Sequence, residues 1–168
     1  MSENFVREIH HYLVVGVSGG AAASPEYRTI QNNIVDSATG DAIYVPPLAG
    51  DVPELMRDLV QWINHPHDAH PVIASAIAQF QLAHFHPFLD GNGRTSRLLL
   101  MLCRCRAGYD FKRLSAISEY YDRDRVTFYA AIQSVRHMLM DMMRWIEFFA
   151  HGLATQLAEV KQRGKVAI

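Results

Sequence analysis

The sequence predicts a mainly α fold, a compact helical bundle carrying one β-hairpin, and three observations lead there. From residue 51 onward apolar residues recur at helical spacing, as Leu55, Leu59, Trp62 and Ile63 do, and such a stripe belongs on the buried side of a helix. Proline and glycine then cut the helical stretch into segments at Pro71, Pro87 and Gly108. Only residues 27–45 break the period, where "YRTIQNNIV" and "AIYV" flank "DSATGD": two short β-branched and aromatic runs about a glycine-containing turn, which is a hairpin signal.

Taken in order, Met1 to about Val15 reads as a first helix and "GVSGGAAASP" as a loop. The hairpin spans about Tyr27 to Val45 and is stopped by Pro46 and Pro47. Asp51 with Glu54 three residues later resembles a capping box, with Asp in place of Ser or Thr. It opens a helix whose Leu55, Leu59, Trp62 and Ile63 face goes to the core. Pro71 can open the next helix, which runs to His84 or Phe85, because Pro87 disfavours helical geometry at His86. Another spans Asn92 to about Arg106 and stops at Gly108. Two further helical stretches, about Asp124 to Met138 and Met140 to Lys161, complete the chain, with Met138, Met140, Met142 and Met143 expected on helix faces and in the core.

A chain of 168 residues, 49% of them hydrophobic, suits one core and one domain over residues 1–168. Sixteen basic side chains nearly cancel seventeen acidic ones, so no general attraction to nucleic acid or anionic lipid is expected and any anion site must be local. Cys103 and Cys105, two apart on a helix, point to different faces and cannot pair, which fits a reducing compartment. The absence of a basic, apolar leader and the short reach of the apolar run "LLLMLC" lead to the expectation of a soluble, cytoplasmic protein without a membrane partner.

The densest chemistry lies in "HPFLDGNGRTSR", His86 to Arg97, in the tight link between two predicted helices. The first turn of the Asn92 helix offers unpaired N–H groups and the positive end of the helix dipole. Gly91 and Gly93 would let a phosphate approach the backbone. Arg94 and Arg97, three apart, share a helix face and can reach a polyphosphate at its end. Asp90 supplies hard oxygen for magnesium, and His86 is a titratable base for an attacking hydroxyl. Base, metal ligand and anion clamp within twelve positions exceed what a structural turn needs.

This stretch resembles the Fic family motif HPFxDGNGRxxR and matches all nine specified positions; "EYRTIQNNI", "YVPP", "VPELMRDLVQWIN" and "RAGY" look like Fic-domain segments in their usual order. The resemblance implies a Fic-like helical bundle with a β-hairpin flap and transfer of AMP from ATP to a Ser, Thr or Tyr hydroxyl of a target protein, with release of pyrophosphate. It implies His86 as general base and Asp90 as ligand of Mg2+. Asn92 with the Gly91 and Gly93 backbone would form the α-phosphate cradle, and Arg94 and Arg97 the β- and γ-phosphate contacts. The flap would hold the target as an added strand. Tyr129, in "RDRVTFYAAI", would contact adenine or ribose, with a core aromatic as the other reading. Many relatives carry a histidine and an acidic residue where this sequence has Gln79 and Ala83.

The same resemblance raises control and rival activities. Many Fic proteins carry an inhibitory helix [S/T]xxxE[G/N] whose glutamate pairs with the second motif arginine; "TQLAEV", Thr155 to Val160, has the Thr and Glu spacing but ends in valine, and is read as an ordinary helix. An inhibitory segment on a region preceding this chain, a small antitoxin, or a homo-oligomer are then the expected regulatory partners. The alternatives to AMP transfer are a nucleotide- or partner-binding Fic module with little turnover, or transfer of another phosphate-containing group. A kinase-like branch replaces the two motif glycines, both present here, so AMP transfer leads. "HPHDAH", His65 to His70, is a weak zinc signal and is read as a loop. His10, His11, His137 and His151 carry no functional expectation.

Overall fold

The computed structural model describes residues 1–17, 24–35, 39–40, 42–109 and 117–166. Its elements are α1 (Glu3–Val14), β1 (Ile34–Val35), β2 (Ala42–Tyr44), a 3-10 turn (Ala49–Asp51), α2 (Val52–Asn64), α3 (Pro71–Phe85), α4 (Asn92–Arg106), α5 (Ile117–Arg123), α6 (Arg125–His137) and α7 (Met143–Val166). The chain is mainly helical, as the sequence predicts. No helix among the described residues is long and apolar enough to cross a membrane.

α3 and α4 form the central antiparallel pair, and the sequence explains why. α3 is apolar all round, with Ala74, Ala76, Ala78, Phe80 and Leu82 buried, as a helix covered on both sides must be. Its alanines let α4 pack closely. On one side Phe80 and Leu100 join Tyr121, Val135, Trp145 and Phe149 from α5, α6 and α7. On the other, Leu82 and Leu99 join Val6 of α1 and Met56 and Leu59 of α2. Trp145 places its polar edge in this apolar setting by donating Nε1–H to the Ala76 carbonyl at 2.9 Å.

Several local expectations change. Asp51 makes no side-chain cap: it ends the 3-10 turn with αR backbone angles, φ −85° and ψ −18°, so its carboxylate is not turned toward the first α2 amides. The buried line of α2 is Val52, Met56, Leu59 and Val60, with Leu55, Trp62 and Ile63 flanking it, half-buried. α3 and α4 match the predicted ends, and Gly108 takes the left-handed conformation at φ 81° that stops α4. α5 has no counterpart in the sequence reading. Met138, Met140 and Met143 are exposed rather than core, because the α6–α7 link turns there with Leu139 and Met140 at positive φ; only Met142 packs against the core.

The hairpin forms as an antiparallel pair with Ile34 opposite Tyr44 and Val35 opposite Ala42. Its first strand is far shorter than predicted. Residues 27–32 instead bind the link between α3 and α4: Arg28 N–H donates to the Pro87 carbonyl at 2.8 Å and Asn32 Nδ2 to the Phe88 carbonyl at 3.3 Å. The Arg28 amide and the Asn32 side chain hold this stretch against the link. The three histidines of "HPHDAH" are likewise occupied. His65 and His70 cap α2 and α3, and His67 stacks on Trp62.

Candidate active site

The α3–α4 link is built from its ends inward. At its start His86 is the C-cap of α3 in the left-handed conformation, φ 50° and ψ 56°. Pro87 pushes it out of helix, and a non-glycine residue at positive φ persists only where the surroundings fix it. Arg28, 3% exposed, does the fixing. Its guanidinium donates to the His86 carbonyl at 2.9 Å, the Pro47 carbonyl at 2.5 Å and the Phe85 carbonyl at 3.4 Å. One buried cation thus satisfies carbonyls that the chain reversal orphans.

At its end the link is closed by Asn92. The buried Asn92 amide accepts from Phe88 N–H at 2.9 Å and donates to the Phe88 carbonyl at 2.8 Å. Its side chain therefore shapes the loop, and what α4 presents to a ligand here is backbone. Gly91 sits at φ 76°, and a Cβ there would run into Val14 of α1, so packing as well as backbone angle requires glycine. Gly93 differs: a Cβ would meet nothing, because this residue faces open space. His10 of α1 stacks on Phe88, with centroids 3.6 Å apart, and holds the Asp90 carbonyl at 2.9 Å from Nε2. A carbonyl can only accept, so Nε2 carries the proton.

A cavity of about 460 Å³ opens beside this loop. His86, the start of α4 (Asn92 and Gly93) and Arg97 line it together, and Tyr129 and Arg136 of α6 face them. Tyr129 is 54% exposed, so it is not a core aromatic. Asn33 and Ile34 of the hairpin complete the rim. Asp90 and Arg94 are not on this wall; they pair with each other at 3.1 Å, while Asp90 also accepts Gly91 N–H and Arg94 donates to the Leu13 carbonyl. Arg97 pairs with Asp122 of α5 at 3.6 Å. Glu159, the acidic residue of "TQLAEV", pairs with Arg123 at 2.8 Å.

Burial holds His86 well below the usual histidine range, at about 4; a hydrogen bond to the Ala83 carbonyl opposes the shift, and the Arg28 and Arg136 charges add to it. At neutral pH the ring is uncharged. An uncharged imidazole carries one N–H and leaves its other ring nitrogen with a lone pair. Gln79 accepts from the Tyr121 hydroxyl at 3.1 Å, a hydrogen bond within the core.

Arg28, His10 and Arg136 were missed by sequence reasoning. Arg28 and His10 lie 58 and 76 positions before His86, and no local pattern marks either. Arg136 lies across the cavity, with its guanidinium 3.1 Å from the Tyr44 ring centroid and Nε 3.4 Å from His84 Nδ1. It makes no ion pair among the described residues. Its position in a predicted helix gave no sign of this.

A helical bundle whose central helix pair bends through a glycine-bearing, arginine-flanked loop defines the Fic class of folds. A family model described as Fic/DOC family matches residues 1–103, and the chain belongs to that family. The protein adenylyltransferase Fic of Drosophila yakuba is 50% identical over 68 residues, which is 39% of this chain and 14% of the fly protein. That of Drosophila melanogaster is 48% identical over the same length. Among solved structures, a Fic family protein from Desulfovibrio desulfuricans G20 superposes with a TM-score of 0.84 over 97% of this chain and 48% of its own, at 24% identity, a likeness of fold. Fic-1 from C. elegans gives 0.73 over all of this chain and 45% of its own, at 26% identity. The chain spans about half the length of these solved relatives and matches about one seventh of the curated ones.

Proposed function

We propose that this chain transfers AMP from ATP to a hydroxyl of a target protein. One observation carries the reading: a half-buried, uncharged His86 and the N-terminus of α4 line the same cavity, with Arg97 beside them and Tyr129 opposite. The hydroxyl oxygen forms a bond to the α-phosphorus as the bond to the pyrophosphate oxygen breaks, and the hydroxyl proton passes to the free ring nitrogen of His86. Charge developing on the phosphate oxygens meets the first amides of α4 and the positive end of its dipole. Tyr129 supplies an exposed aromatic face for the base or ribose.

The residues fit magnesium in the way a phosphate-bound ion requires. Magnesium usually takes one or two carboxylates plus phosphate oxygens and water, and the Asp90 side chain is 51% exposed beside the α4 N-terminus. Asp90 would hold the ion once Arg94 turns to the phosphates, and the ion would neutralise phosphate charge. The exposed strand edge near Val35 suits a target segment added to the hairpin. A target, an antitoxin and a second copy remain proposals of partner.

The experiment is parallel transfer from ATP labelled at the α- or the γ-phosphate. Label from the α position alone is expected. Label from γ alone would mean phosphate transfer, and ATP binding with no transfer of either label would leave a nucleotide-binding module.

A further inference from the structure

Arg136 of α6 carries the one charge on the cavity wall that no described residue answers. The charged groups there are Arg97, Asp122 and Arg136, with His86 neutral. Asp122 is engaged by Arg97 at 3.6 Å, which leaves Arg136 without a carboxylate among the described residues. Its Nε donates to His84 Nδ1 at 3.4 Å and its Nη1 to Gln133 Oε1 at 3.2 Å. Nη2 takes no partner among the described residues and is not one of their buried, unpartnered atoms. Burial pulls the guanidinium down to about 10, which marks hydration lost with no counter-charge in return.

Place along the cavity separates this group from the nucleotide. Tyr129, Ile132 and Arg136 line the cavity from one face of α6, at spacings of three and four. Seven residues of helix set Tyr129 and Arg136 about 10 Å apart along its axis. Tyr129 is the aromatic end, and Arg136 is the hairpin end. The guanidinium lies 3.1 Å from the Tyr44 ring centroid, and Tyr44 pairs across the hairpin with Ile34, which stands on the cavity rim. The ring holds the flat of the guanidinium and leaves its Nη edge to a ligand. A planar fork presented edge-on suits a carboxylate.

We propose that Arg136 selects the target protein: it binds an aspartate or glutamate side chain two residues from the hydroxyl that receives AMP, on the same face of a target strand added to the hairpin. This deepens the AMP-transfer reading and rests on it. Side chains two apart on a strand point the same way, about 7 Å from each other, so one extended segment can bring its hydroxyl to His86 and its carboxylate to Arg136. The same cation repels a lysine or arginine at that position, so selection works against basic segments as well as for acidic ones.

The test maps AMP-modified sites by mass spectrometry in a cell lysate supplied with ATP and magnesium, for the parent chain, Arg136→Leu and Arg136→Glu, with ATP affinity titrated alongside. Parent sites should carry Asp or Glu two residues from the modified Ser, Thr or Tyr. Arg136→Leu should lose that preference and Arg136→Glu exchange it for Lys or Arg. ATP affinity should stay within about threefold of the parent in both, which also shows that the cavity is folded. If a single site is labelled, in a target or in the chain itself, changing its acidic neighbour to the amide should slow transfer at least tenfold for the parent and less than threefold for Arg136→Leu. Parent sites with no acidic residue at that distance overturn the proposal, as does one preference shared by all three proteins. A tenfold loss of ATP affinity in Arg136→Leu also overturns it, because the guanidinium would then belong to the nucleotide. Transfer without the preference sinks this inference alone, whereas a parent that transfers no AMP sinks the AMP-transfer reading and this one with it.

Discussion

His86 combines two demands at one position. The backbone must reverse between α3 and α4, which puts the residue at φ 50°, and the side chain must present a lone pair to the cavity. Left-handed backbone costs an ordinary L-residue roughly 1–2 kcal/mol, and asparagine tolerates it best after glycine. His86→Asn should therefore keep or slightly raise the Tm, since Arg28 binds the backbone carbonyl and not the ring. The asparagine has no basic nitrogen, so AMP transfer should fall by at least a hundredfold, in keeping with the usual 10²–10⁴ worth of a general base, while ATP affinity changes little. Initial rates beside ATP titrations make the comparison; a variant that transfers as fast as the parent would remove His86 from the chemistry.

At the scale of elements, what the sequence shows depends on how local the cause is. The ends of α3 and α4 follow from Pro71, Pro87 and Gly108, each of which acts through its own backbone, and the sequence gives them within a residue or so. The short β1 and the missing Asp51 cap were not legible, because bonds to Pro87 and Phe88 and a preceding 3-10 turn overrode propensity. α5 has seven residues and no marked start. The glycine loop and its arginines were legible as a motif, whereas Arg28, His10 and Arg136 reach their places only through tertiary packing. α7 gives the element its own test. Glu159 engages Arg123 of α5, and Arg97 engages Asp122 instead. Glu159→Gly should thus change the initial transfer rate less than threefold, with a stability loss of about 1 kcal/mol from glycine within a helix. A tenfold rise, about 1.4 kcal/mol in barrier, would show that "TQLAEV" restrains the site.

Across the whole molecule, the two halves of the core meet at α3 and α4, and the histidines at that seam are held uncharged. Burial, aided by the Arg136 charge, keeps both His84 and His86 at about 4, and burial lowers His10 as well. Unfolded, each would return to about 6.5. Between these values the unfolded chain binds more protons than the folded one, so stability is complete above about pH 6.5 and falls as the pH drops toward 4. Each fully buried histidine would contribute a slope of at most about 1.4 kcal/mol per pH unit, less where solvent reaches the ring. Urea midpoints at pH 7.5 and 5 should therefore differ clearly, with the lower value in acid, in a range where most carboxylates stay ionised. His84→Gln should flatten the slope by about one histidine, because its amide can still hydrogen-bond the Tyr44 hydroxyl, which lies 2.8 Å from His84 Nδ1. A parent midpoint that does not move between pH 7.5 and 5 would mean that these rings take up protons without unfolding the seam, and that His86 is a far stronger base than its burial implies.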